Sequence, residues 1–162
     1  MKIKTTLIIL FLLTLDAGNL DAQSGKVPPF RMMLTDGTVF KAQYLPMGKS
    51  ILIIYFSPDC EECHKFTTAL MTRMKELSNV SIAMITYQPV KNITEYVNEN
   101  HLLEYSNVYA GSEYPSLFVR DYYNVIHFPY VALYNKNGEL VKKYTDKEIS
   151  VDDLLSRIRM LK

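Results

Sequence analysis

Cys60 and Cys63 are the only cysteines of the chain, three positions apart within Ser57-Pro58-Asp59-Cys60-Glu61-Glu62-Cys63-His64-Lys65-Phe66. Two thiols so spaced can exchange a disulfide with another molecule, hold a soft metal, or form an inert link. As a staple the link is weak, because closing so short a loop removes little entropy from the unfolded chain. Zinc wants four ligands, and beyond the two sulfurs only His64 is local. Copper(I) accepts two thiolates, with His127 as a conceivable third ligand, so copper handling stays open as a minor alternative. Dithiol–disulfide chemistry heads the readings, with no metal expected. Its cofactor is the chain itself, as a redox-active Cys60–Cys63 disulfide.

Such exchange needs an accessible thiolate and a second thiol close enough to resolve the mixed disulfide. At a helix start, the first cysteine lies near unpaired backbone N–H groups that favour its anion. One turn further in, the second is more buried and stays protonated until needed. Cys60 is therefore the predicted nucleophile and Cys63 the resolving residue. Asp59, Glu61 and Glu62 place three carboxylates around Cys60, and like charge disfavours a thiolate. A destabilised thiolate makes the reduced pair a better electron donor, so the motif points towards a reductant. His64 and Lys65 offset part of that field; His64 is otherwise expected as an exposed helix-face residue.

The flanking segments must position this pair. Ser50–Phe56 is a continuous apolar and β-branched run, suited to a central strand covered on both faces. From Cys60 to about Asn79 the pattern is helical, with Cys63, Phe66, Leu70, Met74 and Leu77 on one stripe. Val80–Thr86 is a second apolar strand. Asn92 to about Tyr105 follows as a helix, with Ile93, Val97 and Leu103 inward. A brief strand is expected at Asn107–Ala110 and a helix over Tyr114–Tyr123. Asp36-Gly37 and Asn137-Gly138 mark two hairpins, at Phe30–Ala42 and Tyr130–Tyr144. Ser150-Val151-Asp152-Asp153 opens a last helix. The sum is an α/β fold, a sheet flanked by helices.

Strand, Cys-Glu-Glu-Cys, helix, then Tyr123-Asn124-Val125-Ile126-His127-Phe128-Pro129 and a hairpin resemble the thioredoxin superfamily. Within it the chain is similar to the exported TlpA-like thiol-disulfide oxidoreductases, over most of residues 28–161. The resemblance implies a central mixed sheet flanked by helices, with an N-terminal β-hairpin and an insertion between Cys63 and Pro129. It further implies that Pro129 lies in cis opposite the pair, where, lacking an N–H, it cannot compete for the sulfurs. Pro58, Phe128 and Tyr130 would face the client. Asp59, Glu61, Glu62 and His64 would tune the potential. The chain departs from the family pattern in three places. Ile54 stands where thioredoxins keep a buried aspartate, Tyr87-Gln88-Pro89 where some relatives carry an acid, and there is no tryptophan. A redox-silent thioredoxin-like binding module is the alternative of a different class.

Met1-Lys2-Ile3-Lys4 followed by the apolar run Thr5–Leu15 has the form of a secretory signal peptide, predicted over residues 1–22. Residues 23–162 then form one domain, exported to the periplasm or another extracytoplasmic space and soluble after cleavage. The net charge of +1, without a basic stripe in the sequence, argues against nucleic acid as the main partner. The expected partners are a protein thiol or disulfide client and a membrane thiol carrier supplying electrons. The protein is expected to act as a monomer. Gly48-Lys49-Ser50 is no phosphate loop, because Gln43 occupies the place of the required first glycine.

Overall fold

The structure is a computed structural model that describes residues 25–145 and 149–161. The predicted signal peptide lies outside the described residues. Seven strands form one mixed sheet: β1 (Arg31–Leu34), β2 (Val39–Lys41), β3 (Ser50–Tyr55), β4 (Val80–Thr86), β5 (Val108–Ser112), β6 (Tyr130–Tyr134) and β7 (Leu140–Tyr144). The helices are α1 (Glu61–Met71), α2 (Val90–Glu99), α3 (Phe118–Tyr123) and α4 (Val151–Met160). The strand order is β2-β1-β5-β4-β3-β6-β7. β3, β4 and β5 run parallel, and the hairpins β1–β2 and β6–β7 close the two edges antiparallel. The expected α/β architecture, with a leading hairpin and a hairpin ending, is the one found.

β3 holds the middle because both of its faces are apolar. Leu52, Ile54 and Phe56 pack under α1 and α4 against Phe66, Leu70, Leu154 and Ile158. Ile51, Ile53 and Tyr55 turn to the opposite layer, onto Phe30, Met32, Val119 and Tyr123. The two-residue period of the strand thus divides one sequence run between two cores. Each such side chain removed from water contributes roughly 1.5–3 kcal/mol, which fixes β3 firmly beneath the motif that follows it.

Three helix boundaries differ from the periodicity. α1 ends at Met71, where the Thr72 hydroxyl donates to the Ala69 carbonyl at 2.7 Å. Residues 72–79 continue as turns whose bonds mostly span three residues, such as Arg73 N–H to Leu70 O. Met74 and Leu77 stay buried regardless, since spacings of three suit tight turns and helices alike. α2 ends at Glu99, and His101 adopts φ of +53°. This reverses the expected facing: Leu102 is buried and Leu103 is 67% exposed. α3 begins only at Phe118, because the residue before Pro115 is disfavoured in helical geometry and Pro115 offers no N–H. The Ser150 cap forms as expected, its hydroxyl accepting from Asp153 N–H at 3.2 Å.

Candidate active site

β3 delivers the chain to one end of the sheet, and a tight turn at Pro58-Asp59 redirects it into α1. Cys60 is the N-cap of that helix: its backbone is extended and its Sγ accepts the Cys63 N–H at 3.2 Å. A thiol thus takes the place usually filled by a serine or aspartate oxygen, where free N–H groups favour negative charge. Cys60 is half-buried, while Cys63, on the inward face of α1, is fully buried. Burial, reinforced by the bond to Cys60, pushes the Cys63 thiol far above its ordinary range. Both sulfurs are free thiols, and the asymmetry is the one expected of an attacking and a resolving cysteine.

Facing the pair is the start of β6. The Phe128–Pro129 peptide is cis, Pro129 is buried, and the Phe128 carbonyl lies 3.7 Å from Cys60 Sγ as an acceptor. The half-buried Phe128 ring stacks on Tyr55 at 6.0 Å and on Tyr87 at 5.8 Å. The Arg120 guanidinium covers the Tyr87 ring. Strand β3 and the loops after β4 and before β6 therefore grip one aromatic side chain, and its carbonyl is aimed at the sulfur. Pro58 is half-buried beside the motif. Tyr130 differs from the expectation: its side chain is 2% exposed, turned inward by pairing with Tyr55, so a client cannot reach the ring.

The three carboxylates are not left to act on Cys60 alone. Lys65 Nζ lies 2.9 Å from both Glu61 and Glu62, and this ammonium holds the Glu61 carboxyl below its usual range. Asp59 instead accepts from Gln88 Nε2 at 2.5 Å. His64 is half-buried rather than exposed. Its Nε2 lies 2.7 Å from the Pro58 carbonyl, which only accepts, so that nitrogen carries the hydrogen. The ring tilts against Tyr96 at 4.7 Å, and the Tyr96 hydroxyl donates to the Cys63 carbonyl at 3.1 Å. His127 is exposed beside a hollow of about 420 Å³ lined also by Asn124, Ile126 and Lys143. Among the described residues, no three His, Cys, Asp or Glu side chains are arranged to hold a metal.

Two polar residues matter here that the sequence did not single out as partners. Gln88, 8% exposed, bonds Asp59 and Ser57 through Nε2 and accepts from Asn92 at 3.1 Å. Glu113, 4% exposed, is the one buried charged residue among the described residues. It accepts from the Tyr55 hydroxyl at 2.6 Å, Val119 N–H at 2.7 Å and Arg120 N–H at 3.3 Å. It thereby caps α3 and ties it to the end of β3. Burial still holds the Glu113 carboxyl above its ordinary range. A lone acid ending an apolar strand was the available signal, though nothing local named its partner.

Solved structures share this fold. A secreted Mycobacterium tuberculosis disulfide oxidoreductase homologous to E. coli DsbE matches at 20% identity and a TM-score of 0.69, over 82% of this chain and 96% of that one. M. tuberculosis DsbF matches at 19% identity and 0.70, over 84% and 99%. A thiol-disulfide oxidoreductase from Bacteroides fragilis matches at 13% identity and 0.69, over 85% and 99%. The chain has a thioredoxin fold. No family model and no curated protein matches the sequence itself. Within the thioredoxin fold, the cysteines stand at the end of the central strand and the start of the helix behind it, with a cis-proline loop opposite.

Proposed function

We propose that this protein is an exported thiol-disulfide oxidoreductase that exchanges electrons with protein disulfides through Cys60 and Cys63, working as a reductant. The observation that carries the reading is the division between the two thiols: one caps the helix at the surface, the other is buried behind it. The Cys60 thiolate attacks a client disulfide, one client sulfur leaves as thiolate, and a mixed disulfide forms. Cys63 then loses its proton and attacks Cys60 Sγ. The Cys60–Cys63 disulfide forms and the client departs as a dithiol. Two electrons have moved to the client, and the dithiol of a membrane thiol carrier returns them by the reverse exchange. Backbone around Phe128, beside a proline without an N–H, offers a client strand its pairing edge. No helix among the described residues is long and apolar enough to cross a membrane.

The experiment is reduction of a disulfide-bonded client protein under a dithiothreitol supply, with the parent, Cys60→Ser and Cys63→Ser. Cys60→Ser should abolish turnover, and reduced Cys63→Ser, mixed with the client after dithiothreitol is removed, should accumulate a mixed disulfide that added dithiothreitol releases. A redox-silent binding module would instead bind its partner equally in all three and give no turnover in any. Equilibration of the pair against dithiothreitol buffers gives its direction. A potential at or below about −270 mV supports a reductant, and one near −120 to −180 mV makes the protein an oxidant or isomerase.

A further inference from the structure

At the end of the sheet where β3 begins, opposite the cysteines, one hollow is lined by Lys26, Lys49 and Lys136. A second hollow adjoins it through Val27, Ala42 and Gln43 and adds Arg31 and Lys41 along the β1–β2 hairpin. No acidic side chain lines either one. Lys26 is paired with Glu139, but among the described residues the other four make no ion pair. In a chain of net charge +1 this is a marked asymmetry, with Asp59, Glu61 and Glu62 at the other end. Between the cations the loop from β2 to β3 holds out Met47, 86% exposed, and Tyr44, 52% exposed.

We infer that this basic end docks on an anionic phospholipid surface. Lysines around a protruding methionine and tyrosine are the chemistry of an interfacial contact: the cations meet lipid phosphates while the apolar tips enter the headgroup layer. A nucleic acid would use the cations but gain nothing from Met47. The described chain begins at Gly25, at this same end. Gly25 and Lys26 are held there by the Leu140 N–H bond to Gly25 O and the bridge to Glu139. β3 starts beside Lys49 and ends before the cysteines, about 20 Å away at strand spacing. Docking therefore leaves Cys60 facing away from the bilayer, and it involves neither thiol.

The test is partition of the exported protein onto vesicles of phosphatidylcholine alone or with about one-third phosphatidylglycerol. A lysine near an anionic surface contributes about fivefold to partition. The parent should therefore prefer the anionic vesicles, and Lys49→Glu/Lys136→Glu should weaken that partition by about 25-fold or more. The chain has no tryptophan, so Met47→Trp is a single reporter, and Ile126→Trp serves as its control at the cysteine end. The first should shift to shorter wavelength on anionic vesicles and the second should not. Cys60→Ser should bind as the parent does, whatever its redox activity. Equal partition to both vesicle types, undiminished binding of the double variant, or a shift at position 126 instead of 47 would each overturn the inference.

Discussion

Replacing Gln88 with glutamate sets a carboxylate where an amide now donates to Asp59 at 2.5 Å. Asn92 fixes the geometry, because its amide donates to Gln88 Oε1 and so turns Nε2 towards Asp59. In Gln88→Glu that bond is lost, and above the ionisation range two anionic oxygens face one another. Full repulsion is not expected, since Asp59 is exposed and can swing into water. The lost charge-assisted bond therefore sets the scale, about 2 kcal/mol near pH 7.5. Near pH 4.5 the two carboxyls can hold one proton between them and restore an O–H to O⁻ bond, so the loss should fall below about 1 kcal/mol. The sign follows from linkage. The introduced carboxyl has a folded pKa raised above its unfolded value, so its stabilising contribution is present at low pH and disappears as pH rises. Urea denaturation of parent, Gln88→Glu and Gln88→Leu across this range tests it. Gln88→Leu loses the bonds at every pH, so its deficit should stay nearly flat. A Gln88→Glu deficit that is equally flat, or absent near pH 7.5, would refute the placement of Asp59 against Gln88.

Tyr130→Phe should leave stability unchanged or raise it by up to about 1 kcal/mol, because its buried hydroxyl has no partner; a clear fall in the urea midpoint would contradict that burial. Burial holds the Glu113 carboxyl above its ordinary value, so the protonated form is favoured by the fold. Its contribution is full below that value and is lost as pH rises through the raised one. Glu113→Gln cannot ionise, and the stability difference between parent and variant should move in the variant's favour from about pH 4 to 8. Parallel denaturation profiles would remove Glu113 as the titrating group.

The features legible in the sequence were those decided locally. The two-sided apolar run at β3, the Cys-Glu-Glu-Cys motif at a helix start, the Asn-Gly hairpin and the Ser150 cap each carry their own cause within a few residues. Helix ends were less legible: Leu70, Met74 and Leu77 keep a spacing that turns and helix satisfy equally. The facing of Leu102 against Leu103 was decided by the left-handed turn at His101, which periodicity does not register. The site's polar partners depend on topology instead. Gln88 meets Asp59 across 29 positions and Glu113 meets Tyr55 across 58, because parallel β3, β4 and β5 end side by side. Composition gives no hint of which of several strand-end residues will touch.

That topology also bears on the proposed role as a reductant. From sequence, the glutamates carried the argument; in the fold Lys65 lies 2.9 Å from both, one turn along α1, and offsets part of their field on the sulfurs. Burial acts instead on Cys63. A pair whose reduced form gains from a stable thiolate is a good oxidant, and that gain belongs to the helix-capping Cys60, whereas burial keeps Cys63 protonated in the reduced pair. The same burial slows resolution unless something takes the proton, and Ile54 offers no acid beneath the pair. Glu62, half-buried and close enough for its charge to raise the Cys63 thiol further, is the nearest carboxylate on that helix. Its partner Lys65, 2.9 Å away, offsets part of that field. Burial of Cys63, with Glu62 beside it, makes deprotonation of the resolving thiol the demanding step of the proposed exchange.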